Sequence, residues 1–205
     1  GQVWPEEFDG WLNDQTPAGR ILAIQGLARI QDRRYGSKIL QKVHDPDPRV
    51  QLAAVDMQRL HHREKDKIAP KLQPFLSHDT AAFRITTLSS LKNLKLTVPS
   101  ETLTTLLQDE NAQVRNQALL YLFALKSKGH KPDVLRVLKK GSAQEKVLAI
   151  AISESLGYKE ATPVAIALLP ELDESTQERT MLRLQRLTGY KKATTADEWK
   201  TWWKK

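Results

Sequence analysis

The stretch Asp109-Glu110-Asn111-Ala112-Gln113-Val114-Arg115 contains the pattern that decides the fold. A carboxylate opens it, and an apolar residue followed by an arginine closes it. An Asp at a helix start accepts hydrogen bonds from free N–H groups and meets the positive end of the helix dipole. The apolar side chains behind it, Ala118, Leu119, Leu122 and Leu125, recur with the three- and four-residue spacing of one helix face. The stretch therefore predicts a turn that opens an amphipathic helix.

The same turn recurs at intervals of 29 to 33 residues along the chain. Aligned on the first core residue of each longer helix, the series reads Ile21, Val50, Phe83, Val114, Val147 and Thr180. Four residues further on stand Gln25, Ala54, Thr87, Ala118, Ala151 and Leu184. Small residues dominate the middle of this second series, which is where neighbouring helices must approach closely. A fixed period of this length indicates a repeat architecture.

Each repeat is interpreted as a short helix, a tight turn and a longer helix. We expect six such pairs within one domain, residues 1–193, at 5–31, 36–61, 66–95, 99–127, 131–157 and 159–188. A single pair cannot bury its apolar stripe, so neighbouring pairs must stack to form the core. No segment alternates between polar and apolar residues, so the sequence predicts an all-α fold without a sheet. Residues 194–205 are predicted to form a Trp-rich capping helix of the same domain.

At these residues the chain resembles the HEAT-repeat family of armadillo-like α-solenoids. The Asp-x-x-x-x-Val-Arg turn is complete at Asp109 to Arg115, whereas the turn from Asp45 to Val50 is followed by Gln51 instead of Arg. The resemblance implies a right-handed α-solenoid of about six helical hairpins, and a scaffold or adaptor role without catalysis or a cofactor. The Trp-rich ending also resembles that of some bacterial HEAT-repeat proteins.

Aromatic residues are concentrated at the two ends of the chain, at Trp4, Phe8, Trp11, Trp199, Trp202 and Trp203. The end of a repeat array exposes an apolar face, so we interpret these residues as aromatic caps. The alternative is an aromatic docking patch, since Trp is enriched in binding hot spots.

Arginines early in the longer helices accompany aspartates in the turns before them. The residues concerned are Asp79, Arg84, Asp109, Arg115, Asp173 and Arg179. The family resemblance implies a structural ladder of ion pairs between adjacent repeats, and contact with a ligand is the alternative.

The formal net charge is +8, and its distribution is uneven. Acidic residues are concentrated in the turns, and basic residues lie at the ends of the longer helices and in the links that follow. The helix dipole accounts for much of this arrangement. The excess of positive charge near residues 29–42 and 59–71 leaves room for an anionic partner. The candidate basic rim consists of Arg29, Arg33, Arg34, Arg59, Arg63 and Lys65.

We therefore expect another protein, of acidic character, to bind through the groove of the longer helices and the basic rim beside it. Nucleic-acid binding is the alternative, including a protein similar to HEAT-like DNA glycosylases. No tryptophan lies between residues 12 and 198, so the repeats supply no central base-stacking pocket of that kind.

Motifs for enzyme chemistry are sparse. The chain has no cysteine, no glycine-rich phosphate loop and no G-x-S-x-G motif. The run His61-His62-Arg63-Glu64 lacks the further ligands that a metal site needs. The sequence has no run of about 20 apolar residues, which is the length that a bilayer-spanning helix needs. We expect a monomeric non-enzyme without a metal or cofactor. The compartment stays open between the cytoplasm and the bacterial periplasm, because a chain that begins at Gly1 is expected to be a processed or excised product.

Overall fold

The computed structural model describes residues 5–30, 33–58 and 65–204. In these ranges the backbone forms thirteen α-helices joined by short 3₁₀ segments and turns, without a strand. The prediction of an all-α fold is thereby confirmed. The helices are α1 (Pro5–Trp11), α2 (Pro17–Ile30), α3 (Arg33–Gln41), α4 (Pro48–Met57), α5 (Lys65–Leu72), α6 (Ala81–Asn93), α7 (Ser100–Leu106), α8 (Ala112–Leu125), α9 (Lys131–Lys140), α10 (Ala143–Leu156), α11 (Ala161–Leu168), α12 (Glu174–Thr188) and α13 (Ala196–Trp203). None of these helices has the length and hydropathy that crossing a membrane would require.

The chain divides into two compact units, Gly1–Gln117 and Ala118–Lys205, with the division inside α8. In the first unit the longer helices contact one another in chain order, α2 against α4 and α4 against α6. Helix α1 packs on α2, and α3 contacts both α2 and α4. In the second unit α10 contacts α9, α11 and α12, while α13 packs on α11.

A capping residue precedes each longer helix at a regular interval. The caps are Thr16, Asp47, Thr80, Asn111, Ser142 and Asp173, which stand 31 residues apart except for one interval of 33. Five of the six caps accept a hydrogen bond from a backbone N–H of the first helical turn; the side chain of Thr80 makes no such bond. Each bond satisfies a donor that the helix itself leaves free. The caps therefore define the register of the repeat.

Small, buried side chains lie seven residues after each cap. They are Ala23, Ala54, Thr87, Ala118, Ala149 and Thr180, and none is more than 1% exposed. The sequence alignment placed Gln25, Ala151 and Leu184 in this series, so it was wrong by two to four residues in three of the six repeats. A helical period tolerates such a shift because apolar residues recur every three to four positions. The observed series lets neighbouring helices approach closely, since larger side chains would hold them apart.

Candidate functional site

A side chain four residues after the cap ties each of the first four turns together. The residues in this position are Arg20, Gln51, Arg84 and Arg115. Each donates a hydrogen bond to the backbone carbonyl six residues earlier, at donor–acceptor distances between 2.6 and 2.8 Å. These bonds satisfy carbonyl groups that the turn would otherwise leave without a partner. The complete turn at Asp109 is thus one of four that share this geometry.

Two of the arginines also contact the turn of the next repeat. Nη2 of Arg84 lies 2.8 Å from Oδ1 of Asp109, and its Nε lies 2.8 Å from Oδ2. Arg20 contacts Asp45 in a similar way, and here both Nε and Nη2 donate hydrogen bonds to the carboxylate, at 2.9 Å each. The side chains of Arg84 and Asp109 are each 10% exposed. The hydrogen bond to Asp109 raises the pKa of Arg84 above its ordinary value, so the guanidinium group stays charged.

The structure changes the membership of the predicted ladder. Arg84 and Asp109 form a rung, and the rung of Arg20 with Asp45 was not predicted. The position equivalent to Asp45 and Asp109 is occupied by His78, and Asp79 stands one residue after it. Nδ1 of His78 accepts a hydrogen bond from the N–H of Thr80 at 3.0 Å, as Oδ1 of Asp45 and Oδ1 of Asp109 do from the N–H groups two residues after them. An imidazole nitrogen can replace a carboxylate oxygen as the acceptor in this turn.

The remaining predicted members make local contacts. Arg115 donates to the carbonyls of Asp109 and Glu110 in its own turn. Asp173 caps α12 through the N–H of Thr176. Arg179 donates to the carbonyl of Ser175 at 3.1 Å within the same helix.

A groove beside each of the two rungs separates consecutive turns. We call the groove beside Arg84 and Asp109 the open groove; its volume is about 650 Å³. We call the groove beside Asp45 the bridged groove; its volume is about 420 Å³. The open groove is lined by Leu76, Ser77, His78, Asp79, Arg84, Glu101, Thr102, Thr105, Leu106, Asp109 and Glu110. The bridged groove is lined by Asp9, Leu12, Asn13, Lys38, Gln41, Lys42, His44, Asp45 and Pro46. Their equivalent residues lie 64 positions apart, for example Leu12 with Leu76 and Lys38 with Thr102.

The two grooves differ in charge. Two carboxylates and two ammonium groups line the bridged groove. Its Lys38 forms an ion pair with Asp9, and Nζ of Lys42 donates to Oδ1 of Asn13 at 3.0 Å. Four carboxylates and one guanidinium line the open groove, and that guanidinium belongs to the rung. The open groove is therefore acidic in a chain whose net charge is positive.

Only part of the predicted basic rim falls among the described side chains. Arg29 is exposed near the end of α2, and Arg34 is exposed with its guanidinium carbon 5.4 Å from the centre of the Tyr35 ring. Arg33 and Lys65 are the first residues of α3 and α5. Arg59 and Arg63 lie outside the described residues, as do His61 and His62.

The predicted aromatic caps lie in two clusters. Phe8 and Trp11 meet edge to face at 5.5 Å between ring centres, and Trp4 lies outside the described residues. Trp199 is fully buried, and it meets the ring of Trp202 edge to face at 5.4 Å. Trp11 and Trp203 are 41% and 49% exposed.

The second unit contains a buried polar cluster that was not predicted from the sequence. Nδ1 of His130 lies 3.2 Å from Oδ2 of Asp133, and Arg136 donates to the other oxygen of Asp133 at 2.7 Å. Across the described residues, His, Asp and Glu side chains form no group of three or more that could hold a metal ion.

No family model matches the chain, and no curated protein does. Its fold is similar to that of a crystal structure described as an engineered protein, a target of a structural genomics consortium. The TM-score is 0.62 and the sequences are 14% identical, and the match covers 92% of this chain and 96% of the other. At this level of identity the likeness concerns the fold alone.

Proposed function

We propose that this chain is a non-catalytic HEAT-like α-solenoid module that binds another protein. The observation that carries the proposal is the repeated turn, in which Arg20 and Arg84 each bind their own turn and a carboxylate of the next repeat. Such rungs fix the angle between consecutive helix pairs. Stacked repeats of fixed geometry offer an extended surface, which is the common use of solenoid folds.

The proposed binding surface is the outward face of the longer helices in the first unit. Leu22 of α2 is 56% exposed on this face, six residues after its cap. The equivalent positions of α4 and α6 carry Ala53 and Thr86, both half-buried. An exposed apolar residue beside small side chains suits contact with another protein surface better than contact with phosphate groups. Arg29 follows Leu22 by two helical turns and extends the surface towards the proposed basic rim.

The test is a pull-down with the intact protein, followed by measurement of the affinity of the recovered complex. We expect one preferred partner, bound with modest salt dependence. Leu22→Glu should weaken the complex, because it places a charge in the contact surface. Leu182→Glu is the matched control, since Leu182 is also an exposed leucine of a longer helix, at 51%, and lies in the second unit, outside this face.

Nucleic-acid binding is the competing function, favoured by the net charge of +8 and the exposed Arg29 and Arg34. Electrophoretic shifts on mixed DNA and RNA at near-physiological salt separate the two. Tight shifts that are independent of sequence and disappear on charge reversal of Arg33, Arg34, Arg63 and Lys65 would overturn the protein-binding proposal. The absence of a shift at micromolar protein supports it.

A further inference from the structure

The open groove combines a cavity, an apolar floor and an excess of negative charge. Leu76 and Leu106 form the floor, and each is 2% exposed. Asp79, Glu101 and Glu110 stand at exposed positions on its walls. No described ammonium or guanidinium group forms an ion pair with these three carboxylates; Arg84, which pairs directly with Asp109, interacts with Asp79 and Glu110 at longer range. The volume of about 650 Å³ falls within the range of ligand sites, about 300–1,000 Å³.

The bridged groove shows which group fits such a place. It occupies the equivalent position two repeats earlier, beside the rung of Arg20 with Asp45. There the ammonium group of Lys38 reaches the carboxylate of Asp9, and that of Lys42 reaches the side-chain oxygen of Asn13. Lys38 belongs to α3, the short helix of the next repeat, and Lys42 opens the 3₁₀ segment that follows this helix. The chain thus supplies its own cations to the bridged groove.

The open groove lacks these internal cations. Thr102 and Leu106 stand where the bridged groove has Lys38 and Lys42. The open groove thus lacks two ammonium groups, and Gln73 stands at the position of Asp9. Glu101 and Glu110 add carboxylates at the positions equivalent to Ser37 and Pro46. A cation from outside the chain would restore the balance of charge that the bridged groove achieves internally.

We propose that the open groove binds lysine or arginine side chains of a basic segment of the protein partner. The inference rests on the proposed function, because it assigns chemistry to a protein that the chain binds. The apolar stem of a lysine packs against Leu76 and Leu106, and its ammonium group meets the carboxylates above them. Asp109 contributes less, since Arg84 already neutralises it.

The experiment is an amide NMR titration of the intact chain with a hexalysine peptide, and with hexaglutamate as the control peptide. We expect hexalysine to shift amide signals of residues 76–84 and 101–110. Thr102→Lys should weaken binding about tenfold, because it restores an ammonium group at the position of Lys38 without removing a carboxylate. The double variant Glu101→Gln, Glu110→Gln should weaken binding to a similar extent. Glu178→Gln in α12, also an exposed carboxylate, should leave the affinity unchanged.

Thermal unfolding of each variant establishes that it folds, and the two weakening variants act by independent routes. Three results would overturn the assignment. Hexalysine could bind all variants with equal affinity, it could shift only signals of other residues, or it could shift no signal at millimolar concentration. The outcome is separable from the proposed function. If hexalysine occupies the groove as expected but the intact chain has no protein partner, the proposed function fails and the chemistry of the groove stands. If Leu22→Glu weakens a partner complex that Thr102→Lys leaves intact, the partner does not use the groove.

Discussion

The guanidinium group of Arg84 binds two turns at once. Its Nη1 donates to the carbonyls of His78 and Asp79, at 2.7 and 2.8 Å, and its Nη2 and Nε face the carboxylate of Asp109 in the next repeat. One side chain thus closes the turn that precedes its own helix and joins that turn to its neighbour. An arginine suits this role because its donors form a fixed planar fork.

Replacement of Arg84 by Met should therefore destabilise the protein strongly. The change leaves the mostly buried carboxylate of Asp109 without its partner, and breaking a buried pair in this way costs about 3–5 kcal/mol. Urea unfolding measures the loss. Arg49→Met is the control, since its pair with Asp47 has an arginine side chain that is 71% exposed, and it should cost at most about 1 kcal/mol. Equal losses in the two variants would contradict the role assigned to the rung.

The contact between Gly26 and Phe8 leads to a second prediction. A Cβ atom on Gly26 would lie 2.7 Å from the Phe8 ring, whereas a Cβ on Gly10 would meet nothing within 4 Å. Gly26→Ala should destabilise the protein by about 1–3 kcal/mol through overpacking. Gly10→Ala should be neutral or stabilise it by up to about 1 kcal/mol, because alanine favours the helix. Chemical denaturation tests both, and Phe8→Leu in the Gly26→Ala background should recover part of the loss.

Asp47 gives a prediction about pH. The hydrogen bond from the Arg49 side chain lowers the pKa of Asp47 from 3.8 to about 2. A carboxyl whose pKa is lower in the folded state stabilises that state above its unfolded pKa. Its contribution is therefore lost as the pH falls from about 4 to about 2. The stability difference between the natural chain and Asp47→Asn should narrow over this interval, and carboxyl NMR shifts should place the Asp47 midpoint near 2. A midpoint near 4 would contradict the hydrogen bond.

The all-α class of the fold was predictable because its determinants are local. Proline and aspartate mark helix starts, and the apolar side chains recur with a helical period. The register was harder to predict, since a helical period alone permits shifts of two to four residues. Arg20 was missed for this reason: the alignment began its helix core at Ile21, whereas the cap at Thr16 sets Arg20 equivalent to Arg84. The shared signal is a capping residue followed four positions later by arginine.

The grooves could not be predicted from local pattern. Each brings together two turns and the short helix between them, so its charge depends on residues far apart in the sequence. Lys38 closes the bridged groove only because Asp9, 29 residues earlier, lies opposite it. The acidic turn at Asp109 and Glu110 was visible in the sequence, but the absence of a lysine at position 102 acquires meaning only from the repeat equivalence.

The C-terminal aromatic cluster gives the last prediction. Trp199 is fully buried, with Tyr190 and Trp202 against its ring, whereas Trp203 is 49% exposed. Trp199→Ala should cost about 3–5 kcal/mol, because it leaves a large cavity beneath α13. Trp203→Ala, the matched control, should cost much less, since its side chain loses little buried area. Removal of residues 194–205 should reproduce or exceed the effect of Trp199→Ala and promote association through the uncovered surface. Differential scanning calorimetry and light scattering measure the two effects. If the truncated chain melts at the same temperature and stays monomeric, α13 is a docking peptide for another molecule and not a cap, because a cap that contributes no stability covers no core.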